Sequence, residues 1–97
     1  MSSVRAFRLV TGEEIITRVE SETTDTYTLE RPMVLNLVPV QGQKGQAAPM
    51  VFPWIFSHNE PKFVLNKSAV MGEIVNVHEE IEHDYMQKTS RIQLVKQ

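Results

Sequence analysis

Through residue 77, apolar and polar residues alternate in short runs broken by polar turns, and beyond it the period lengthens. VRAFRLV at 4–10 is an apolar-rich run that ends at Thr11-Gly12-Glu13. Glycine adopts positive φ at little cost, so this tripeptide reads as a hairpin turn. The following EEIITRVES places Ile15, Thr17 and Val19 on one side of a strand and Ile16, Arg18 and Glu20 on the other. A polar break at 21–25 leads to TYTLER, with Tyr27 and Leu29 on one face. MVLNLVPV continues it, with Met33, Leu35 and Leu37 set against Val34, Asn36 and Val38, and the whole reads as one long bent strand. Proline has no N–H to give a ladder, so Pro32 and Pro39 mark edges, bulges or bends.

GQKGQAA at 42–48 is a polar loop, and PMVFPWIFS at 49–57 is a strand carrying Phe52, Trp54 and Phe56 on one face as core or subunit-interface anchors. HNEP at 58–61 is a turn. KFVLN then meets AVMGEIVNV across Asn66-Lys67-Ser68, which is too short for an ordinary hairpin loop.

After residue 76 the pattern becomes helical. Asn76 and Glu79 have the spacing of a capping box, with Asn76 as N-cap. Glu79, Glu80, Glu82 and Asp84 come early and Lys88 and Arg91 late, the order that suits a helix dipole. Ile81, Tyr85, Thr89 and Ile92 form a narrow stripe that can pack on a sheet. The expectation is a single mostly β domain over 1–97: five antiparallel strands closed into a small barrel over about 4–77, then a helix over about 77–92.

Composition narrows the function. At 97 residues, 41% hydrophobic and 23% charged, the chain is long enough for one folded domain and is not of disordered composition. It has no cysteine, which excludes disulfides, thiolate zinc sites and cysteine nucleophiles and suits the cytosol. Arg5 and Arg8 interrupt the N-terminal apolar run, so no signal peptide is expected. The apolar stretches fall well short of the ~20 residues of a membrane span. A soluble, cytoplasmic protein is therefore expected. A net charge of −2 weighs against non-specific nucleic-acid binding. The cations are unevenly spread, however: Arg5, Arg8, Arg18 and Arg31 fall in the first third and every lysine lies at or after Lys44. A ring or dimer can gather such cations on one face.

Catalytic patterns fail on spacing. In HEEIEH, His78 and His83 are five apart, about 140° out of register on a helix, whereas the metalloprotease pattern needs four. Glu79 and His83 can share at most an adventitious metal, and a solvated helix face is the simpler reading. No phosphate-binding glycine loop or nucleophile elbow occurs. No enzyme activity, cofactor or metal is expected.

Two segments resemble the signatures of the Sm-like family. FRLVTGEEIITRVESETTDTYTLER resembles the first, with Leu9, Gly12, Ile15 and Val19 at its apolar and turn positions. Leu65-Asn66-Lys67-Ser68-Ala69-Val70 resembles the second, with Leu65 and Val70 as anchors. The chain has Thr17 where a second glycine is frequent, Thr23 where the family has aspartate, and Asn66-Lys67 in place of Arg-Gly. Without an N-terminal helix but with a tyrosine-bearing C-terminal one, it is similar to the small Sm-like proteins of bacteriophages.

The resemblance implies a five-stranded, strongly bent antiparallel sheet closed as a small SH3-like barrel. It also implies a homo-oligomeric ring of five to seven subunits joined edge strand to edge strand. Single-stranded RNA would be held near the pore. Position by position, the implied RNA contacts are Thr23, Asp25 and Tyr27 from the first segment and Asn66, Lys67 and Ser68 from the second, with Tyr27 stacking a base and Lys67 meeting a phosphate. The alternative is a phage-encoded structural or protein-interaction ring that binds no RNA.

Overall fold

The computed structural model describes residues 4–42, 44–54 and 62–89. Within them are strands β1 (Val4–Leu9), β2 (Glu14–Glu22), β3 (Thr26–Pro39), β4 (Ala47–Pro53), β5 (Lys62–Asn66) and β6 (Val70–Ile74), and one helix, α1 (Glu79–Lys88). All form one antiparallel sheet of order β4-β3-β2-β1-β6, with β5 also paired to β3. The five expected strands are therefore six. The long β3 carries two partners along one side: β5 pairs with Thr26–Glu30 and β4 with Met33–Pro39. The turn residue Gly12 has φ +98°, and Leu9 N–H donates to Glu13 C=O at 2.8 Å, closing the β1–β2 hairpin as its sequence predicts.

The sheet is strongly curled. β5 and β6 lie at opposite ends of the path β5-β3-β2-β1-β6, yet a single 3₁₀ turn, Lys67–Ala69, joins them. In a flat sheet four strand spacings would separate them by roughly 19 Å. Four residue steps in a 3₁₀ conformation rise only about 8 Å. Two backbone hydrogen bonds hold this corner: Lys67 N–H donates to Asp25 C=O at 2.8 Å, and Val10 N–H donates to Ala69 C=O at 2.9 Å.

β3 changes face halfway. Ile16 faces Met33 and Arg18 faces Glu30, so Arg31 and Pro32 together oppose Thr17. This is a bulge, and Arg31 takes a left-handed conformation there, φ +54°. The expected irregularity at Pro32 is thus a bulge inside the sheet rather than an edge. The extra residue switches parity: Tyr27, Leu29 and Val34 belong to one core, Met33 and Leu35 to the other.

The core inside the curl holds Phe7, Leu9, Ile15, Leu29 and Leu65. The second lies on the other face, where Ala6, Ile16, Met33 and Val51 pack against Tyr85 of α1. Ile81, Tyr85 and Thr89 are the stripe that faces the sheet, as the spacing predicts, while Ile92 lies outside the described residues. In the aromatic segment, Val51 is buried and Trp54 packs edge-on to Phe63 at 5.1 Å. Phe52 is 37% exposed, and the expected strand stops at Pro53, with Phe56 outside the described residues.

Tyr85 is fully buried and its hydroxyl sits on the bulge. It receives the Arg18 N–H at 2.9 Å and lies 3.0 Å from both the Glu30 and Arg31 carbonyls. The Glu30 carbonyl also accepts from Thr17 Oγ1 at 3.2 Å, so the hydroxyl and a β2 side chain together bond the backbone at the bulge. Burial raises the hydroxyl's pKa, opposed by the Arg18 hydrogen bond. The Arg18 guanidinium stands 5.3 Å from the same ring and donates to Thr89 Oγ1 at 2.8 Å.

The helix starts later than expected. His78, not Asn76, is the N-cap, and its Nδ1 accepts the Glu80 N–H at 3.3 Å. Asn76 takes a left-handed conformation, φ +57°, that turns the chain out of β6 toward the helix. Among the described residues no helix is long and apolar enough to cross a membrane.

Candidate functional site

The curl brings the two signature-like segments together. β3 and β5 pair so that Thr26 faces Asn66 and Tyr27 faces Leu65, and the Lys67-to-Asp25 backbone bond ties one turn to the other. All six residues singled out in the sequence therefore fall in one region, though they do different work.

Thr23 shapes the β2–β3 turn. Its Oγ1 accepts from the N–H groups of Asp25 at 3.2 Å and Thr26 at 3.0 Å, and its N–H donates to Thr26 C=O at 2.8 Å. Asp25, Asn66 and Ser68 are exposed at the surface of the two turns. Their side chains make no hydrogen bond to a described residue, which leaves them open to an external ligand.

Tyr27 is half-buried and forms the centre. Its ring packs on Phe7 with centroids 4.8 Å apart and planes at 38°. Lys67 Nζ lies 4.9 Å from the ring centroid and the Arg5 guanidinium 5.2 Å. Cations at this distance from an aromatic ring are held by its quadrupole.

Neither cation is free. Lys67 Nζ makes a 2.6 Å ion pair with Glu22. Arg5 grips Glu73 with two bonds, Nε at 2.9 Å and a terminal nitrogen at 2.8 Å, and reaches Glu22 at 3.4 Å. The Lys67 hydrogen bond holds Glu22 below the ordinary carboxylate range, and the bidentate Arg5 bond does the same to Glu73. Arg5 is raised in turn by its bond to Glu73. Two cations and two anions surround Tyr27, so the cluster is formally neutral.

Sequence reasoning missed Arg5, Phe7, Glu22 and Glu73. Arg5 and Phe7 share a face by strand alternation, which was readable. Their meeting with Glu73 depends on β1 pairing with β6, a contact between residues 68 positions apart that no local pattern encodes. Among the described residues no group of three or more His, Cys, Asp or Glu side chains is gathered as a metal site.

The fold and site define a small mostly β domain: one curled antiparallel sheet, backed by a C-terminal helix, that presents a charged aromatic corner. No family model matches the chain, and no curated protein is significantly similar to it.

Proposed function

We propose that the chain is an Sm-like barrel that assembles into a homo-oligomeric ring and holds single-stranded RNA at the corner formed by Tyr27, Asp25, Asn66, Lys67 and Ser68. The observation that carries this reading is the convergence of the two signature-like segments on Tyr27, with a lysine over its ring and exposed hydrogen-bonding side chains on either side. An aromatic ring beside a cation and amide or hydroxyl groups is a chemically suitable nucleotide platform. The 3₁₀ connection between opposite ends of the sheet supports closure as a barrel. β5 pairs only with β3 and β6 only with β1 among the described strands, so each offers an edge to a neighbour.

On this reading Lys67 exchanges Glu22 for an RNA phosphate. Fluorescence anisotropy with oligo-U and oligo-A tests it. Binding should weaken with added salt and with Lys67→Ala, and strengthen with Glu22→Gln, which removes the competing anion. Absence of salt-dependent binding at micromolar protein sinks the RNA reading. A monomeric solution mass sinks the ring.

A protein-interaction ring that binds no RNA is the second reading. The neutral balance of Arg5 and Lys67 against Glu22 and Glu73 favours it. Partner capture that survives nuclease, together with a null anisotropy titration, distinguishes the two.

A further inference from the structure

Two adjoining recesses, one of them reaching the start of α1, share no residue with the Tyr27 corner. The deeper, about 210 Å³, opens where the start of α1 meets the sheet. Ile16, Leu35, Ile74, Val77 and Ile81 make it apolar, and His78 stands beside them. A dry cavity of about 150 Å³ holds benzene, so this one has room for a large aliphatic side chain. The second recess, about 620 Å³, shares Glu14 and Leu35 with the first and runs past Glu13 to Leu37.

The strand lengths explain this groove. The last β3 residue paired with β2 is Val34, opposite Ile15, whereas β3 continues to Pro39 with β4 on its other side. Val40 N–H donates to Gln46 C=O, and Trp54 N–H to Pro32 C=O. Hydrogen-bonded pairs alternate along an antiparallel ladder, so even-numbered β3 residues face β4 and odd-numbered ones face away. The N–H and C=O of Leu37 therefore point into the groove, and its side chain is 71% exposed. Glu13 and Glu14 are the acidic residues of the lining; Glu14 already carries an ion pair with Arg8, whereas Glu13 makes none among the described residues.

We propose that this groove binds an extended segment of a partner protein. The segment adds as a strand along β3 at Leu37, seats a large aliphatic side chain in the apolar recess, and sets lysine or arginine beside Glu13. An open strand edge and a side-chain socket are the elements of strand-addition recognition, and the acidic lining residue selects the charge of the segment. His78 fits the same role: its Nδ1 accepts from Glu80 N–H, which leaves Nε2 as the ring nitrogen that can donate to a peptide carbonyl.

The test is an anisotropy titration of the full chain with a fluorescein-labelled nine-residue peptide in which lysine alternates with valine and leucine. A control has serine in place of valine and leucine, at equal charge. Saturable binding is expected, weaker by about tenfold or more for the serine control. Val77→Trp fills the recess and should weaken binding about tenfold to a hundredfold. Leu37→Pro removes the edge donor without touching the β4 ladder and should weaken it as well. Circular dichroism checks folding, and Leu37→Pro decides alone if Val77→Trp does not fold. Equal binding of both peptides, wild-type binding by the folded variants, or no saturable binding overturns the proposal. So does a wild-type oligomer that Val77→Trp dissociates, which would make the groove a contact between copies.

Discussion

Tyr85 shows how much one side chain can decide. Its ring fills the core between helix and sheet, and its hydroxyl bonds backbone groups at the Arg31–Pro32 bulge. Tyr85→Phe keeps the ring but removes the hydroxyl's bonds to Arg18 N–H and the bulge carbonyls in a buried site. It should cost about 2–4 kcal/mol, read as a lower urea midpoint with unchanged slope. The hydroxyl's raised pKa carries a pH signature. A folded pKa above the unfolded value, about 10, means the stabilisation is complete below that value and lost as pH rises through the folded pKa. Alkaline unfolding should therefore begin above about pH 10 and be less steep in Tyr85→Phe. Glu22 and Glu73 work in the opposite sense. Their folded pKa values lie below 4.5, so their contribution is complete above about 4.5 and lost as pH falls through the folded values. Glu73→Gln should lower Tm at neutral pH and flatten its acid dependence, measured by thermal melts from about pH 7 to pH 3.

At the scale of elements, β4 is a guarded edge. Even-numbered residues of β4 face β3, so Pro49, Val51 and Pro53 face outward. Two of those positions have no N–H to offer, and the Val51 carbonyl accepts from Lys88 Nζ at 3.0 Å. Prolines and a lysine are established protections against strand addition. Restoring the donors and removing the cap, as Pro49→Thr, Pro53→Thr and Lys88→Ala together, should produce larger, concentration-dependent species in sedimentation velocity. If the triple variant sediments like the wild type, the edge is blocked by something else. For the proposed ring, this guard removes β4 as the contact between subunits. For α1, the three acidic residues of its first turn and Lys88 in its last were readable as dipole-compatible charges. Its N-cap was not. Asn76 is the better capping residue by type, but its positive φ at the exit from β6 moves the helix start to His78.

For the molecule as a whole, the strands, the turn at Gly12, the irregularity at Pro32 and the sheet-facing stripe of α1 were determined by the sequence alone. Each rests on local chemistry: alternation along a strand, the backbone freedom of glycine, the missing N–H of proline, and the helical repeat. The six residues of the candidate site were also readable, as two turns in separate segments. Tertiary structure decided what surrounds them. Only the β3–β5 pairing places Lys67 over Tyr27, and only the β1–β6 pairing brings Glu73 to Arg5 and balances the two cations around the ring. The count of strands in the sheet was likewise decided there, because β4 and β5 take successive stretches along one side of the long β3. The physical reason is the range of the forces. Local periodicity reports which face of an element is buried, whereas partner choice between strands depends on chain closure and on packing between residues distant in sequence.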